Sequence, residues 1–157
     1  MPASNPPGLD IICGAIKLPV DCMKLISPFV NRSITIEPLS IAKVGIQVST
    51  DMSKQAIDTA TRFMDDPKSS ASLKEAMSTC LENYQDIPDD NDLALQALDK
   101  CNTNEAAIKL SSSLTSVATC LDGNQQMRIT SPMRDMETEL ERLLQITLTI
   151  VSDLVKF

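Results

Sequence analysis

Three observations predict an all-α fold: an up-down-up-down four-helix bundle, stapled by disulfides and preceded by a short N-terminal helical hairpin. Apolar residues recur at spacings of three and four through long stretches of the 157-residue chain. Aromatic residues make up only 3% and Trp is absent, so the core must come from Leu, Ile, Val, Met and Ala, as helical bundles allow. Five Cys, two of them close together near the N-terminus, suggest disulfides and an oxidising compartment, the alternative being free thiols buried in a cytosolic protein. The length suits a single domain over residues 1–157, with hairpin and loop at about 10–36 and the bundle at 39–155.

Residues 1 to 9 read as an extended, mobile Pro-rich lead. Met1-Pro-Ala-Ser-Asn-Pro-Pro-Gly8 holds no apolar run, so no signal peptide is expected in this chain, and no stretch of 18 apolar residues is present to span a bilayer. Cys13 and Cys22, separated by Gly14 and Pro19, fall in two short helical turns that a Cys13–Cys22 bridge would close. Ser27-Pro28 and Glu37-Pro38 bracket a loop. It contains Asn31-Arg32-Ser33, a glycosylation sequon that agrees with secretion but also arises by chance.

The first long helix is predicted from about Leu39 to Met64, with Ile41, Val44, Val48, Met52, Thr59 and Phe63 on one face. Asp65-Asp66-Pro67 ends it, because Pro disfavours helix at the residue before it. Ser69 to Ser72 offer N-caps for a second long helix whose stripe is Leu73, Met77, Cys80, Tyr84, Ile87, Ala94 and Leu98. Pro88 interrupts it, at a cost of roughly 3 kcal/mol in a helix interior. The stripe keeps its phase across Pro88, which favours one kinked helix over a break at 87–92. A third helix is expected from about Glu105 to Leu121, with Ala107, Leu110, Leu114, Val117 and Leu121 inward and Asp122-Gly123-Asn124 as its end. After a loop at 124–131, Ser131 as N-cap and Pro132 at the first position start the last helix. Its core side is Met136, Leu140, Leu143, Leu144, Thr147, Ile150, Val151 and Leu154.

Several function classes are disfavoured. A net charge of −7 without Lys/Arg patches argues against nucleic acid or an anionic membrane as partner. His is absent, which removes the commonest general base and metal ligand. Phosphate-binding Gly motifs, a nucleophile elbow and Cys-x-x-Cys zinc spacing are all missing, so no enzyme, cofactor or metal is expected.

The informative stretch is Cys80-Leu-Glu-Asn-Tyr-Gln-Asp86 with Asp89. Cys80, Tyr84 and Ile87 share a buried face, and Glu82, Asp86 and Asp89 repeat the spacing on an acidic face. Cys120, on the third helix, would lie opposite Cys80 in an antiparallel neighbour, so a Cys80–Cys120 bridge would staple the two. Cys101 would then be free, with Lys100 as its one basic sequence neighbour, which argues against a reactive thiol. Tyr84 reads as core. The eight Met residues read as core filler. On composition alone the carboxylates read as a solvated helix face.

The Cys13…Cys22 hairpin, Cys80-x-Glu-Asn-Tyr-x-Asp86, Ala118-Thr-Cys-x-Asp122 and the order of the helices resemble the plant invertase/pectin methylesterase inhibitor family over nearly the whole chain. The resemblance implies an extracellular bundle, in the apoplast or cell wall, that inhibits a carbohydrate-active enzyme. It implies bridges Cys13–Cys22 and Cys80–Cys120. It favours a pectin methylesterase as partner, bound one to one across its cleft by a protein that is monomeric when free. The matching contact residues are Glu82, Asn83, Asp86, Asp89 and Asp122, and Lys109, Ser113 and Ser116 lie off the apolar stripe of the third helix where they could join them. Invertase inhibitors of the family present Pro-Lys-Phe where this chain has Lys100-Cys-Asn-Thr-Asn104, so an acid invertase is the alternative partner. Cys120-Leu-Asp-Gly…Ser131-Pro132 also resembles pollen-allergen relatives, which leaves a bundle without inhibitory activity as a further alternative.

Overall fold

The computed structural model describes residues 6–157. Residues 1–5 of the Pro-rich lead lie outside the described part. The regular structure of the described residues is helical, without strands: α1 (Leu9–Gly14), α2 (Pro19–Ile26), α3 (Pro38–Asp65), α4 (Ala71–Tyr84), α5 (Ile87–Asp99), α6 (Thr103–Gln126) and α7 (Arg134–Thr149). A short 3₁₀ turn, Ser27–Phe29, follows α2, and a wider π-type turn, Ile150–Leu154, follows α7. α3 packs on α4, α5 and α7, and α6 packs on the same three, so α3 and α6 sit at opposite corners of an up-down-up-down bundle. The expected lead corrects at its end. Gly8 takes a left-handed φ of 91°, and Leu9 is already fully buried at the start of α1.

α1 and α2 form the hairpin, closed by the Cys13–Cys22 disulfide. The hairpin lies against α7 and α3. Asp21 faces Arg142 and Lys24 faces Glu139, both at 3.8 Å. These exposed pairs add little energy but show that α2 runs antiparallel to α7. The second disulfide, Cys80–Cys120, ties α4 to α6.

The predicted second long helix is two helices. The interruption falls at Gln85–Asp86, just before the 87–92 window considered for a break. Pro88 has no N–H to give the Tyr84 carbonyl, and its ring crowds that carbonyl. Both intervening residues nevertheless keep right-handed helical angles, −61°/−25° and −81°/−19°. The chain therefore passes from α4 to α5 without losing phase, and Tyr84 and Ile87 are both fully buried.

Helix ends differ from expectation at two places. α6 runs through Asp122-Gly123-Asn124 to Gln126. Its buried end, Cys120 and Asn124, outweighs the roughly 1 kcal/mol helix penalty of Gly123. Termination comes at Arg128, left-handed at φ 56°, with Ile129 N–H donating to Asn124 C=O and Arg128 N–H to Gln125 C=O, a Schellman motif without glycine. α5 ends the same way on Cys101, at φ 59°. α7 begins at Arg134, not at Pro132, because Ser131 turns its hydroxyl to Met133 N–H (3.1 Å) and Glu137 Oε1 (3.2 Å) instead of capping the helix. Ser70 does cap α4, accepting from Leu73 N–H, and Asn102 caps α6, accepting from Glu105 N–H.

The inward face of α3 is built from small residues as much as from aliphatic ones: Ala42, Gly45, Ser49, Ser53, Ala56 and Ala60 are buried beside Ile41, Ile46 and Val48. At Gly45 the backbone touches Thr147 of α7, and a Cβ there would collide with the Thr147 side chain.

Candidate docking face

The face opposite the hairpin is formed by α4, α5 and α6. It carries most of the residues singled out from the sequence. Glu82, Asp86, Asp89 and Asp122 are exposed. Asn83 is half-buried and donates through Nδ2 to Thr79 C=O at 2.9 Å. Asp89 borders a groove with Pro88, Asp92, Leu95 and, from α3, Thr50 and Lys54. On α6, Lys109 is half-buried beside Glu105 at 3.8 Å, and Ser116 donates back to Ser112 C=O at 3.2 Å. Two apolar side chains add to this face: Leu93 on α5 is 42% exposed and Ile108 on α6 is 53% exposed. Neither stood out in the sequence, because single exposed aliphatics carry no pattern.

Ser113 is not on the surface. It is fully buried, and its hydroxyl donates to Asn91 Oδ1 at 2.7 Å. The buried stripe of α6 is Ala106, Leu110, Ser113, Val117, Cys120 and Asn124, turned one residue from the all-apolar stripe. Asn91 accounts for the turn. Its Nδ2 donates to Ser49 Oγ and Thr50 Oγ1, both at 3.0 Å, so one buried amide joins α3, α5 and α6. Its position was legible, since 91 fills the gap between Ile87 and Ala94 at helical spacing.

Beneath the face, Tyr84 is fully buried, and its hydroxyl donates to Cys120 Sγ at 3.0 Å. Glu137 of α7 is also fully buried and reaches the same sulfur at 3.7 Å. Its Oε1 accepts from Ser131, while its Oε2 has no partner among the described residues. Burial pushes the Glu137 carboxyl above the usual carboxylate range, against the smaller opposing effect of the Tyr84 and Ser131 hydroxyls. Burial, then the Glu137 charge, pushes the Tyr84 phenol upward, so it stays protonated. Cys80, Cys120 and Glu137 bring ligand-type atoms within 4.8 Å of one another, but both sulfurs are tied in the S–S bond and offer no thiolate to a metal. Cys101 is exposed, outside any disulfide, in the α5–α6 turn.

The sequence profile of the plant invertase/pectin methylesterase inhibitor family matches residues 9–150. The chain belongs to that family. Its members are extracellular inhibitors, not enzymes. Among solved structures, a mutant form of a pectin methylesterase inhibitor from Arabidopsis is 19% identical over 95% of this chain and 98% of its own, with a TM-score of 0.81. A pectin methylesterase inhibitor from Arabidopsis thaliana is 19% identical over 100% of both chains, with a TM-score of 0.70. At this identity the likeness speaks for the fold. No curated protein matches the sequence. No helix among the described residues is long and apolar enough to cross a membrane.

Proposed function

We propose that this inhibitor acts on a pectin methylesterase of the plant cell wall, covering its active-site cleft with the α4–α5/α6 face in a one-to-one complex. The whole chain acts as one inhibitor domain. The observation that carries the reading is the placement of the hairpin. It occupies the α7–α3 side of the bundle, which leaves the α4–α5/α6 side, with Glu82, Asn83, Asp86, Asp89, Lys109, Ser116 and Asp122, free to meet a partner. The exposed Leu93 and Ile108 supply apolar anchors among these polar groups, the composition of an interface centre with a polar rim. Such interfaces bury about 1,600 Å² in total. The names of the two Arabidopsis structures favour the esterase over the invertase.

The test is a paired titration of the purified protein against a pectin methylesterase and an acid invertase at one acidic pH. Stoichiometric loss of esterase activity alone is expected. Loss of invertase activity alone would refute the reading and move the contact to the Lys100–Asn104 turn.

A further inference from the structure

We propose that Asn31 carries an N-linked glycan. This rests on the chain passing through a secretory compartment, for which its two disulfides speak independently of any target enzyme. Asn31-Arg32-Ser33 is the single Asn-x-Ser/Thr triplet in the sequence, and neither Arg32 nor Ile34 is proline. All three residues are exposed. They form a tight turn in the connection between the 3₁₀ turn and α3, closed by Ile34 N–H donating to Asn31 C=O at 3.2 Å. Asn31 Oδ1 accepts from Ser33 N–H at 2.9 Å and also from the Ser33 hydroxyl. The acceptor side of the amide is thus engaged by the sequon itself, whereas its Nδ2 has no partner among the described residues.

In the transfer, Asn31 Nδ2 forms a C–N bond to the anomeric carbon of a lipid-linked oligosaccharyl pyrophosphate. The sugar–phosphate C–O bond breaks, the lipid pyrophosphate leaves with the bonding electrons, and the amide releases one proton to the transferase. Transfer precedes folding, so the folded structure decides whether the product is tolerated. Here it is: no packing atom or hydrogen bond has to be given up at Nδ2. The connection follows α2 and Phe29, which lines a cleft with Leu25, Val48, Met52 and Met136 on the α3–α7 side. A glycan at Asn31 therefore grows from the hairpin side of the bundle and leaves the α4–α5/α6 side open.

The full chain, expressed in plant cells behind a secretory leader, should show the mass of one N-glycan. Peptide N-glycosidase A should remove it and convert Asn31 to Asp in the tryptic peptide. Asn31→Gln and Ser33→Ala should both lose that mass, and Ser33→Thr should keep it. Secreted wild-type protein with an unmodified Asn31 would overturn the proposal, whether or not the protein inhibits an esterase. If Asn31→Gln is not secreted, the Ser33→Ala and Ser33→Thr pair, which leaves Asn31 in place, decides the matter in the same way.

Discussion

Replacing Glu137 by Gln should flatten the acid end of this protein's stability profile. Glu137 is fully buried against Cys120 and Tyr84, has one oxygen without a partner, and is held above the usual carboxylate range by burial. The surrounding groups from the packed elements are Tyr84 of α4, Cys120 and Asn124 of α6 and Ser131 of the preceding turn, with Arg128 and Arg134 bordering the adjacent cleft of about 520 Å³. The unfolded chain ionises this carboxyl near pH ~4.3. Between that pH and the raised folded value, the native state holds more protons than the unfolded state. Stability therefore falls as pH rises through this window, the reverse of an ordinary ion-paired carboxylate. One proton gives a limiting slope of about 1.4 kcal/mol per pH unit. For a chain of this length that is about 3–5 °C in Tm per pH unit. Guanidinium denaturation of wild type and Glu137→Gln at pH 4, 5, 6 and 7 measures it, because differencing the two removes every other titration. The Gln variant should gain on wild type as pH rises. A difference that stays constant from pH 4 to 7 would refute the reasoning.

Gly45→Ala should destabilise by about 1–3 kcal/mol, seen as a lowered Tm, because the new methyl meets Thr147 in a closed helix contact. Removing the Cys80–Cys120 bridge, which spans 40 residues, should cost about 3.9 kcal/mol by loop entropy, against about 2.6 kcal/mol for Cys13–Cys22, which spans 9; denaturant midpoints of the two Cys→Ala pairs give the ranking. Arg128→Gly should stabilise by up to about 1 kcal/mol, since Arg128 terminates α6 in a left-handed conformation that glycine adopts freely; a loss of stability on thermal melting would contradict the Schellman assignment.

The helices were legible because three-and-four periodicity survives local disturbance. Pro88 breaks the hydrogen-bond ladder at Gln85–Asp86, yet Tyr84 and Ile87 stay in register, so the pattern reported the packing correctly and the continuity of the helix incorrectly. Helix ends were less legible for the same reason. Gly123 is a stop signal only where the chain beyond it has nothing to bury, and Asn124 lies inside. The polar interior was missed because the expected stripes were built mainly from apolar residues: Ser113 was placed off the stripe of its helix, and Asn91 and Glu137 were left out of theirs. Asn91, Ser113 and Glu137 all stand at buried register positions, and each is placed by what meets it. Ser49, Thr50 and Ser113 meet Asn91, and Ser131 meets Glu137. Residue spacing predicts burial for these side chains, but only the neighbouring helix supplies their partners.

The division of the second helix also separates the acidic residues by what local structure explains. Asp89 and Asp90 occupy the first turn of α5, where a carboxylate complements the positive end of the helix. Their presence needs no partner molecule. Glu82 lies in the last turn of α4, where the same interaction is unfavourable by about a few tenths of a kcal/mol, and Asp122 lies about one turn inside the end of the extended α6, where the helix end gives its charge no support. Neither forms an ion pair among the described residues. These two charges stand two residues beyond the two cysteines of the Cys80–Cys120 staple, and helix stability does not account for either. Glu82→Gln and Asp122→Asn should therefore leave stability unchanged or slightly raised while weakening esterase inhibition. Asp89→Asn should lower stability slightly, with a smaller effect on inhibition. Measuring denaturation midpoints and inhibition constants on the same three variants tests the separation. If Glu82→Gln and Asp122→Asn inhibit as wild type does, their carboxylates belong to a solvated face, and the contact must be carried by Leu93, Ile108 and the polar groups around them.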